Sequence, residues 1–327
     1  MPTLSVVIPT HRRPQYLARA IWSALDAAPD GDTEIIVVPN GNDLSWKSVE
    51  AEFGADARVH WHPVAQGHAN VARNHGLRRA TSEYVRFLDD DDYLYPKACQ
   101  RQLLALIQSG GEVSSGDVDI ASPRGRSNRT LVQPATSDFA SSALTPSRMT
   151  HLAGHVYRRS ALGDTRWEED RMVRQDTAWL IQLSTMKELA WQRHPEVVGA
   201  WFQHGGERIS RGRDPGPTVL RETAELIMWA HDRMASEGRL TTERVRAATD
   251  GLWSSLQKGL QYDFAYWRDI ARVAESYSPG HRPPSAIHRL PVVRRLSPLA
   301  VETLLIPIRV VYRPVRRFLD KHGIRRV

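Results

Sequence analysis

Hydrophobic positions in the first hundred residues alternate between short, fully apolar runs and segments with helical spacing. Residues 4–9 (LSVVIP), 34–38 (EIIVV) and 84–88 (YVRFL) are β-branched runs typical of strands buried on both faces. One helix is predicted over 69–80 and another from Pro14. The apolar positions of the latter recur at helical spacing: Tyr16, Leu17, Ala20, Ile21, Ala24 and Leu25. This alternation predicts an α/β protein with a doubly wound, mostly parallel sheet flanked by helices.

The hydrophobic pattern weakens after a predicted helix over about 96–109. Residues 114–150 are rich in Ser, Thr, Pro and Gly, and we interpret them as weak strands and loops that include a mobile functional segment. A short strand is predicted at 155–158 and a helix over 174–186. Residues 217–276 look helical throughout. Their predicted core is Leu226, Ile227, Met228, Leu252, Leu256 and Leu260.

The composition is that of an ordinary globular protein, with 41% hydrophobic and 25% charged residues. The 327 residues exceed the usual single domain, which favours a large domain with an appendage or two domains. The single cysteine, Cys99, excludes an intrachain disulfide and a cysteine-rich metal site. No secretion signal precedes the first strand and no apolar run reaches membrane-spanning length, so we expect a cytoplasmic location.

Positive charge is concentrated at the C-terminus. Residues 281–327 hold eleven Arg and Lys against two acids, a net +9, which leaves −2 for residues 1–280. The prolines of this tail predict short helical pieces instead of one long helix. Two interpretations stay open: peripheral contact of this basic, amphipathic tail with an anionic membrane, or packing on the protein with solvated arginines. Nucleic acid is not expected as a partner, because no recognition motif accompanies the charge.

Polar side chains gather where the predicted strands end. His11 and Arg13 follow the first strand, Asn40 the second, and Asp89–Asp92 the strand at 84–88. Open α/β sheets bind ligands beyond the carboxyl ends of their strands, so these residues predict a site. Four adjacent carboxylates repel one another, and a bound Mg²⁺ or Mn²⁺ is the simplest compensation. The alternative is a solvated acidic turn that caps the next helix.

Four sequence blocks stand in a defined order along the first part of the chain: SVVIPTHRRP, EIIVVPNG, GHANVARNHG and SEYVRFLDDDD. Their order and spacing resemble glycosyltransferase family 2, closely over residues 4–110 and more loosely to about 205. Members of that family have the GT-A fold and transfer a sugar from a nucleotide diphosphate with inversion. The resemblance implies this fold and this activity for the chain.

The resemblance also implies residue roles on the nucleotide side. Asn40 stands where the family usually has an aspartate that reads the base, and Asp90 is expected near the ribose or phosphate. Arg73 is expected near the nucleotide, with an ordinary helix-surface arginine as the alternative. The nucleotide-binding residues are expected to be Pro9, Thr10, His11, Arg13, Asn40, Arg73, Asp89 and Asp90.

The metal site and the catalytic base are further implications of the resemblance. Asp89 and Asp91 match the family's D-x-D pair, with Asp91 as the ligand of Mn²⁺ or Mg²⁺, and His204 falls where some relatives approach the diphosphate or metal. An E-D pair precedes an apolar helix in the family's acceptor-side segment. Here the pair is Gln175-Asp176, so Asp176 is the expected base. The alternative for Asp176 is an ordinary first-turn residue favoured by the helix dipole.

These roles imply a metal-dependent inverting glycosyltransferase with a nucleotide-sugar donor and a glycan, lipid-linked or small-molecule acceptor. We expect a donor-binding half over residues 1–110, an acceptor-binding half over 111–210, a helical extension over 211–280 and the basic tail over 281–327. Arginine outnumbers lysine by 39 to 5, which is typical of GC-rich genomes and suggests a bacterial cell-envelope or natural-product pathway.

Rival classes differ at particular residues. A nucleotidyltransferase or a Rossmann dehydrogenase would show a glycine-rich loop after the first strand, and PTHRRP contains no glycine. A non-catalytic, sugar-binding or membrane-scaffold relative stays open because Pro39-Asn40 and Gln175 depart from the family pattern. The intact Asp89, Asp91 and Asp176 count against that relative. The base of the donor nucleotide stays open, since an Asn side chain both accepts and donates hydrogen bonds.

Overall fold

The computed structural model describes residues 2–145, 151–205 and 216–310. The chain forms two compact units, Met1–Arg211 and Gly212–Val327. The first is an α/β unit around one mixed sheet, and the second is helical.

Four parallel strands form one side of the sheet in the α/β unit, in the order β3-β2-β1-β4. Their bounds are β1 (Leu4–Thr10), β2 (Thr33–Pro39), β3 (Val59–Trp61) and β4 (Tyr84–Phe87). The helices between them are α1 (Pro14–Leu25), α2 (Lys47–Phe53) and α3 (Ala69–Arg79). All of these strands except β3 are buried along their whole length, as their apolar runs predict. The strands and helices predicted from residues 4–88 are confirmed.

The order of these strands creates a switch point beside β1. The chain runs from β1 to β2 and β3 on one side and then returns to place β4 on the other side of β1. Loops that leave the carboxyl ends of two strands at such a point diverge and leave a crevice. The loop after β1 begins at His11, and the loop after β4 holds Asp89–Asp92. The predicted convergence of these two segments is confirmed.

A glycine brings α3 close to β1. A Cβ atom on Gly76 would lie 2.4 Å from Cγ1 of Val7, so only glycine fits without displacement of one element. Arg73 lies one helical turn earlier on α3 and is buried. The close approach therefore fixes the position from which Arg73 reaches the carboxyl edge of the sheet.

The sheet continues beyond β4 in the order β8-β6-β9-β5, and β7 pairs with β6. The strands are β5 (Tyr93–Leu94), β6 (Val113–Ser122), β7 (Gly125–Leu131), β8 (His155–Arg158) and β9 (Trp191–Phe202). The helices are α4 (Pro96–Ser109), α5 (Phe139–Leu144) and α6 (Gln175–Met186). β8 is antiparallel to β4 and to β6, whereas β6 and β9 are parallel. The mixed α/β architecture confirms the expected fold class.

The expectation of weak strands and loops over 114–150 is wrong for its first part. β6 has ten residues and pairs with three other strands, β7, β8 and β9. The hydrophobic pattern did not indicate this buried strand because its residues are small and polar. Their small size is what allows the close packing: a Cβ on Gly116 would lie 2.6 Å from Cγ1 of Val198. Residues 146–150, where the mobile segment was also expected, lie outside the described residues.

The helical unit contains α7 (Gly216–Ser236), α8 (Thr242–Gly259), α9 (Phe264–Tyr277) and α10 (Pro298–Leu304). The predicted helical region is confirmed, with interruptions where Thr241 and Asp263 cap α8 and α9 through their side chains. Short 3₁₀ turns at Ala286–Arg289 and Val293–Arg295 confirm the predicted short pieces as far as residue 310. The remainder of the tail lies outside the described residues. None of the described helices combines the length and apolar character needed to cross a bilayer.

Candidate functional site

The acidic segment after β4 is largely buried. Asp90, Asp91 and Asp92 are each less than 5% exposed, and only Asp89 is partly exposed. The residue that precedes α4 is Tyr95, and no side-chain hydrogen bond caps that helix. The alternative of a solvated acidic turn that caps α4 is therefore wrong. Buried charges need partners, so these carboxylates are expected to pair with basic groups of the protein.

Asp90 ties the loop after β1 to the loop after β4. Its Oδ2 accepts hydrogen bonds from Thr10 Oγ1 at 2.8 Å and from the His11 backbone nitrogen at 3.3 Å. Its Oδ1 accepts from Arg13 Nη1 at 3.0 Å. Burial raises the pKa of Asp90 to about 7, and the neighbouring Asp91 acts in the same direction against Arg13.

Asp91 is shared by two basic side chains, His204 and Arg13, from distant parts of the chain. Its Oδ2 accepts from His204 Nε2 at 2.9 Å and from Arg13 Nη1 at 3.1 Å. Its backbone carbonyl accepts from Arg19 Nη2 at 2.7 Å, and the Arg19 guanidinium lies 3.9 Å from the ring centre of Phe202. The structure thus brings together the two predicted metal-site residues, Asp91 and His204. The sequence analysis missed Arg19, which stands mid-helix without a local signal.

Arg73 connects Asp89 to the start of α6. Its Nη2 donates to Asp89 Oδ1 at 2.6 Å, and its Nη1 donates to Gln175 Oε1 at 2.7 Å. The guanidinium lies 4.7 Å from the Trp167 ring centre, and Trp167 stacks on Trp179. Desolvation acts to raise the pKa of Asp89, but Arg73, His151 and Arg13 together outweigh it and hold that pKa below its ordinary value. Arg73 is therefore not an ordinary helix-surface arginine.

Asp92 belongs to a second group of possible metal ligands. It is fully buried and accepts from the Phe202 backbone nitrogen at 2.8 Å, and its Oδ2 lies 3.4 Å from His151 Nδ1. One ligand atom each from Asp89, Asp92 and His151 lie within 4.8 Å of one another. The sequence analysis missed His151, because it is far from the acidic segment along the chain and no motif surrounds it.

Side chains of this protein compensate the four carboxylates. Arg13, Arg73, His151 and His204 lie against them, so a bound metal, suggested above as the simplest compensation for their mutual repulsion, is not the only one. The donor set nevertheless fits a divalent cation. Two adjacent ligands about 2.1 Å from an octahedral ion are roughly 3 Å apart, and His204 Nε2 and Asp91 Oδ2 are separated by 2.9 Å. A metal would replace the proton that now joins these two atoms.

Asp176 lies in the first turn of α6, directly after Gln175. Its Oδ1 accepts a hydrogen bond from the Thr177 backbone nitrogen at 2.8 Å. Within the described residues its carboxylate has no ion pair. Arg174, the residue before α6, has φ of 54°, one of three non-glycine residues with positive φ in the described chain; another is Arg12 in the loop after β1. Such backbone conformations concentrate at functional sites.

The predicted nucleoside end lies beside β1 and β2. Pro9 and Thr10 are buried at the end of β1, and Asn40 is buried just after β2. Asn40 Nδ2 donates to the Thr10 carbonyl at 2.9 Å. The exposed His11 ring places Nδ1 2.6 Å from the Asn40 carbonyl oxygen, so this nitrogen carries a proton. The eight predicted nucleotide-site residues thus lie around the same carboxyl edge of β1, β2 and β4.

The match to a family model covers the strands that build this edge. Residues 5–165 match the model described as Glycosyl transferase family 2. The α/β unit of the chain belongs to glycosyltransferase family 2. Among curated members of this family, a GalNAc(5)-diNAcBac-PP-undecaprenol beta-1,3-glucosyltransferase of Campylobacter jejuni is 36% identical over 115 residues, which cover 34% of this chain and 36% of that relative.

Solved structures agree with family 2 in the fold. The chain is similar to residues 1–349 of S. aureus TarS in complex with UDP-GlcNAc, with a TM-score of 0.54, 18% identity and coverage of 86% of this chain and 93% of that one. It is also similar to the mannosyltransferase PcManGT of Pyrobaculum calidifontis in complex with GDP-Man and Mn²⁺, with a TM-score of 0.52, 16% identity and coverage of 95% and 87%. At these identities the likeness establishes the GT-A fold.

The family 2 relatives in the curated set are longer than the matched part. The chain spans about half of the length of the curated relatives that it matches. Fold and family therefore stand on the comparisons. The donor, the acceptor and the roles of single residues in this family 2 protein are matters of proposal.

Proposed function

We propose that this protein transfers a sugar from a nucleoside diphosphate to an acceptor hydroxyl with inversion, and that Asp176 removes the acceptor proton. The observation that carries the proposal is the Arg73 bridge, which joins Asp89 at 2.6 Å to Gln175 at 2.7 Å. This bridge holds the residue next to Asp176 against the acidic edge of the donor side. A base and a leaving-group site held together in this way suit a single displacement.

Asp176 has the properties of a base. Its only hydrogen-bond donor within the described residues is the Thr177 backbone nitrogen, so its carboxylate keeps lone pairs for an acceptor hydroxyl. Deprotonation by a positioned base typically contributes about 10²–10⁴-fold in rate.

The donor base is proposed to meet Asn40. The amide nitrogen of Asn40 is engaged by the Thr10 carbonyl, so its side-chain oxygen is the atom available to a ligand. An acceptor at this point suits a base that presents an N–H group, as uracil and thymine do at N3. Asp90 accepts from the Thr10 hydroxyl and pairs with Arg13, and both are proposed to contact the ribose and phosphates.

A divalent cation, Mn²⁺ or Mg²⁺, is proposed to bind at Asp91 and His204, whose ligand atoms have the separation noted above. When bound, such an ion stabilises the negative charge that develops on the departing diphosphate. The group formed by Asp89, Asp92 and His151 is the rival position. The two positions differ in which histidine they require.

The acceptor is proposed to be a glycan or a lipid-linked glycan of a bacterial cell envelope. The Campylobacter relative acts, by its name, on an undecaprenol-linked glycan, which supports this class of acceptor. Peripheral contact of the basic tail with a membrane, and a cytoplasmic location, form part of the same proposal.

Release of nucleoside diphosphate from UDP-, dTDP- and GDP-sugars, with Mn²⁺ and with EDTA, tests the proposal. We expect slow metal-dependent hydrolysis of one donor, lost in Asp91→Ala, with donor binding retained in Asp176→Ala. No hydrolysis and no metal-dependent nucleotide binding across the panel would instead support the non-catalytic alternative. That alternative draws on Gln175, which replaces the carboxylate usual in the family.

A further inference from the structure

Residues 289–296 of the helical unit form a surface segment that is both basic and apolar; we call it the basic rim. Three aliphatic side chains are exposed on it: Leu290 at 53%, Val292 at 77% and Leu296 at 43%. Three arginines stand among them, and all are exposed: Arg289, Arg294 and Arg295. Single exposed apolar residues are common on protein surfaces, but three within seven residues, interleaved with arginines, form a continuous amphipathic patch.

The backbone of the basic rim is held in place. Arg282 donates from Nη1 to the Val293 carbonyl at 3.2 Å, and from Nη2 to the carbonyls of Arg294 at 2.6 Å and Leu296 at 2.8 Å. One guanidinium therefore binds three backbone carbonyls within residues 293–296 of the rim. The exposure of the aliphatic side chains follows from this fixed backbone.

No acidic side chain offsets the charge of the basic rim from within its own segment. The sequence has no Asp or Glu between Glu275 and Glu302. Glu302 itself is fully buried and accepts from His288 Nε2 at 2.7 Å and Gln257 Nε2 at 2.9 Å, and it pairs with Arg309. Its carboxylate is therefore engaged inside the helical unit, where it connects the segments on either side of the rim. The rim thus presents positive charge and aliphatic groups together.

We propose that the basic rim docks on an anionic lipid surface, with its aliphatic side chains in the interfacial region and its arginines at the headgroup phosphates. Anionic headgroups match the exposed arginines, and acyl chains match the exposed leucines and valine. A nucleic acid would match only the charge, because the rim offers no aromatic side chain on which a base could stack. This inference rests on the membrane contact of the basic tail in the proposed function and assigns it to one segment and one class of lipid. It does not depend on catalysis, so its outcome is separate from that of the proposed transfer reaction.

Co-sedimentation of the full chain with vesicles tests the proposal. We expect binding to vesicles that contain about one-third phosphatidylglycerol and much weaker binding to pure phosphatidylcholine. Each arginine near such a surface contributes roughly fivefold to partitioning, so R289Q/R294Q/R295Q is expected to weaken binding roughly 100-fold. The variant L290S/V292S/L296S is expected to weaken it by about tenfold or more.

Matched controls come from exposed residues of the α/β unit. R78Q/R79Q/R124Q removes the same charge, and L44S/L104S/V132S removes a similar number of exposed aliphatic groups. Both are expected to bind as the unmodified protein does, apart from a small loss of general attraction in the first. Thermal unfolding verifies that every variant is folded. Equal losses in rim and control variants would overturn the proposal.

A second measurement reads insertion directly. Cys99 is the only cysteine and is fully buried, so V292C offers a single accessible thiol for an environment-sensitive dye. We expect a blue shift with anionic vesicles at V292C and none at L44C. No shift, or binding of a DNA duplex through the rim arginines without vesicle binding, would assign the rim to another partner.

Discussion

Carboxylates on the two sides of the candidate site differ in their hydrogen-bond and ion-pair partners. Each of Asp89–Asp92 lies against a basic side chain: Arg73, Arg13, His204 or His151. Asp176, on the side proposed to bind the acceptor, accepts one backbone hydrogen bond and has no ion pair within the described residues. The difference separates two tasks. We propose that the paired carboxylates fix the geometry of the site, whereas Asp176, at a helix start, keeps lone pairs for an acceptor hydroxyl.

Removal of the unpaired carboxylate gives the largest expected effect. Asp176→Asn keeps the size of the side chain and the helix start but cannot take up a proton. We expect kcat to fall by about 10²–10⁴-fold, with donor and metal binding unchanged. The measurement is transfer to acceptor in parallel with nucleotide binding. Asp170→Asn, an exposed neighbour, serves as the control, and a loss of donor binding in Asp176→Asn would contradict the assignment of a base.

Among the partners of the paired carboxylates, the two histidines distinguish the two possible metal positions. His204→Ala removes a partner of Asp91 and is expected to weaken Mn²⁺ binding by roughly 10–100-fold, by titration followed with electron paramagnetic resonance. His151→Ala is the matched variant and is expected to leave Mn²⁺ affinity nearly unchanged. The reverse result would move the metal to the group formed by Asp89, Asp92 and His151.

Arg73 joins Asp89 to the start of α6, so its loss is expected to disturb both sides of the site. Arg73→Gln removes the ion pair with Asp89 and loosens the contact with Gln175. We expect kcat/KM to fall about tenfold through misplacement of the base. Arg78→Gln, an exposed residue of the same helix, is expected to have no effect. Gln175→Glu keeps the bridge and is expected to retain activity within about fivefold; a large loss there would mean that the bridge does not position Asp176.

The smallest effect concerns the buried member of the paired group. The pKa of Asp90 is raised from 3.8 to about 7, so the folded protein keeps a proton that the unfolded chain releases. Stability is then greatest below about pH 4 and falls as the pH rises to about 7. Asp90→Asn removes this contribution and is expected to flatten the fall in Tm by a few degrees over that range. Parallel thermal melts at several pH values compare the two, and identical slopes would show that Asp90 titrates normally.

The donor side of the fold could be predicted because its signals are local. The runs that become β1, β2 and β4 are apolar and β-branched, and polar residues follow each of them directly. β6 gave no such signal, because its Ser, Gly and Asp residues are buried through contacts that a hydrophobic pattern does not record. Gly116, for example, leaves the space that Val198 fills.

Pairing within the site could be predicted only in part. The resemblance to a known family supplied Asp91, His204 and Asp176, and the structure brings the first two within hydrogen-bond distance. Sequence alone could not show that Arg13 and Arg73 neutralise the acidic segment, because both partners of each pair are distant along the chain. The sequence therefore suggested a metal as the simplest compensation and could not show that these arginines also compensate the carboxylates.

Gly76 sets how this protein tolerates change. An added methyl group there would overlap Val7 by more than an ångström, so even alanine would push α3 away from the sheet and withdraw Arg73 from Asp89. Exposed positions of the same helix, such as Arg78, face no such limit. Engineering of this protein therefore has freedom at exposed positions but almost none at Gly76, where α3 and β1 leave no room for one added carbon atom.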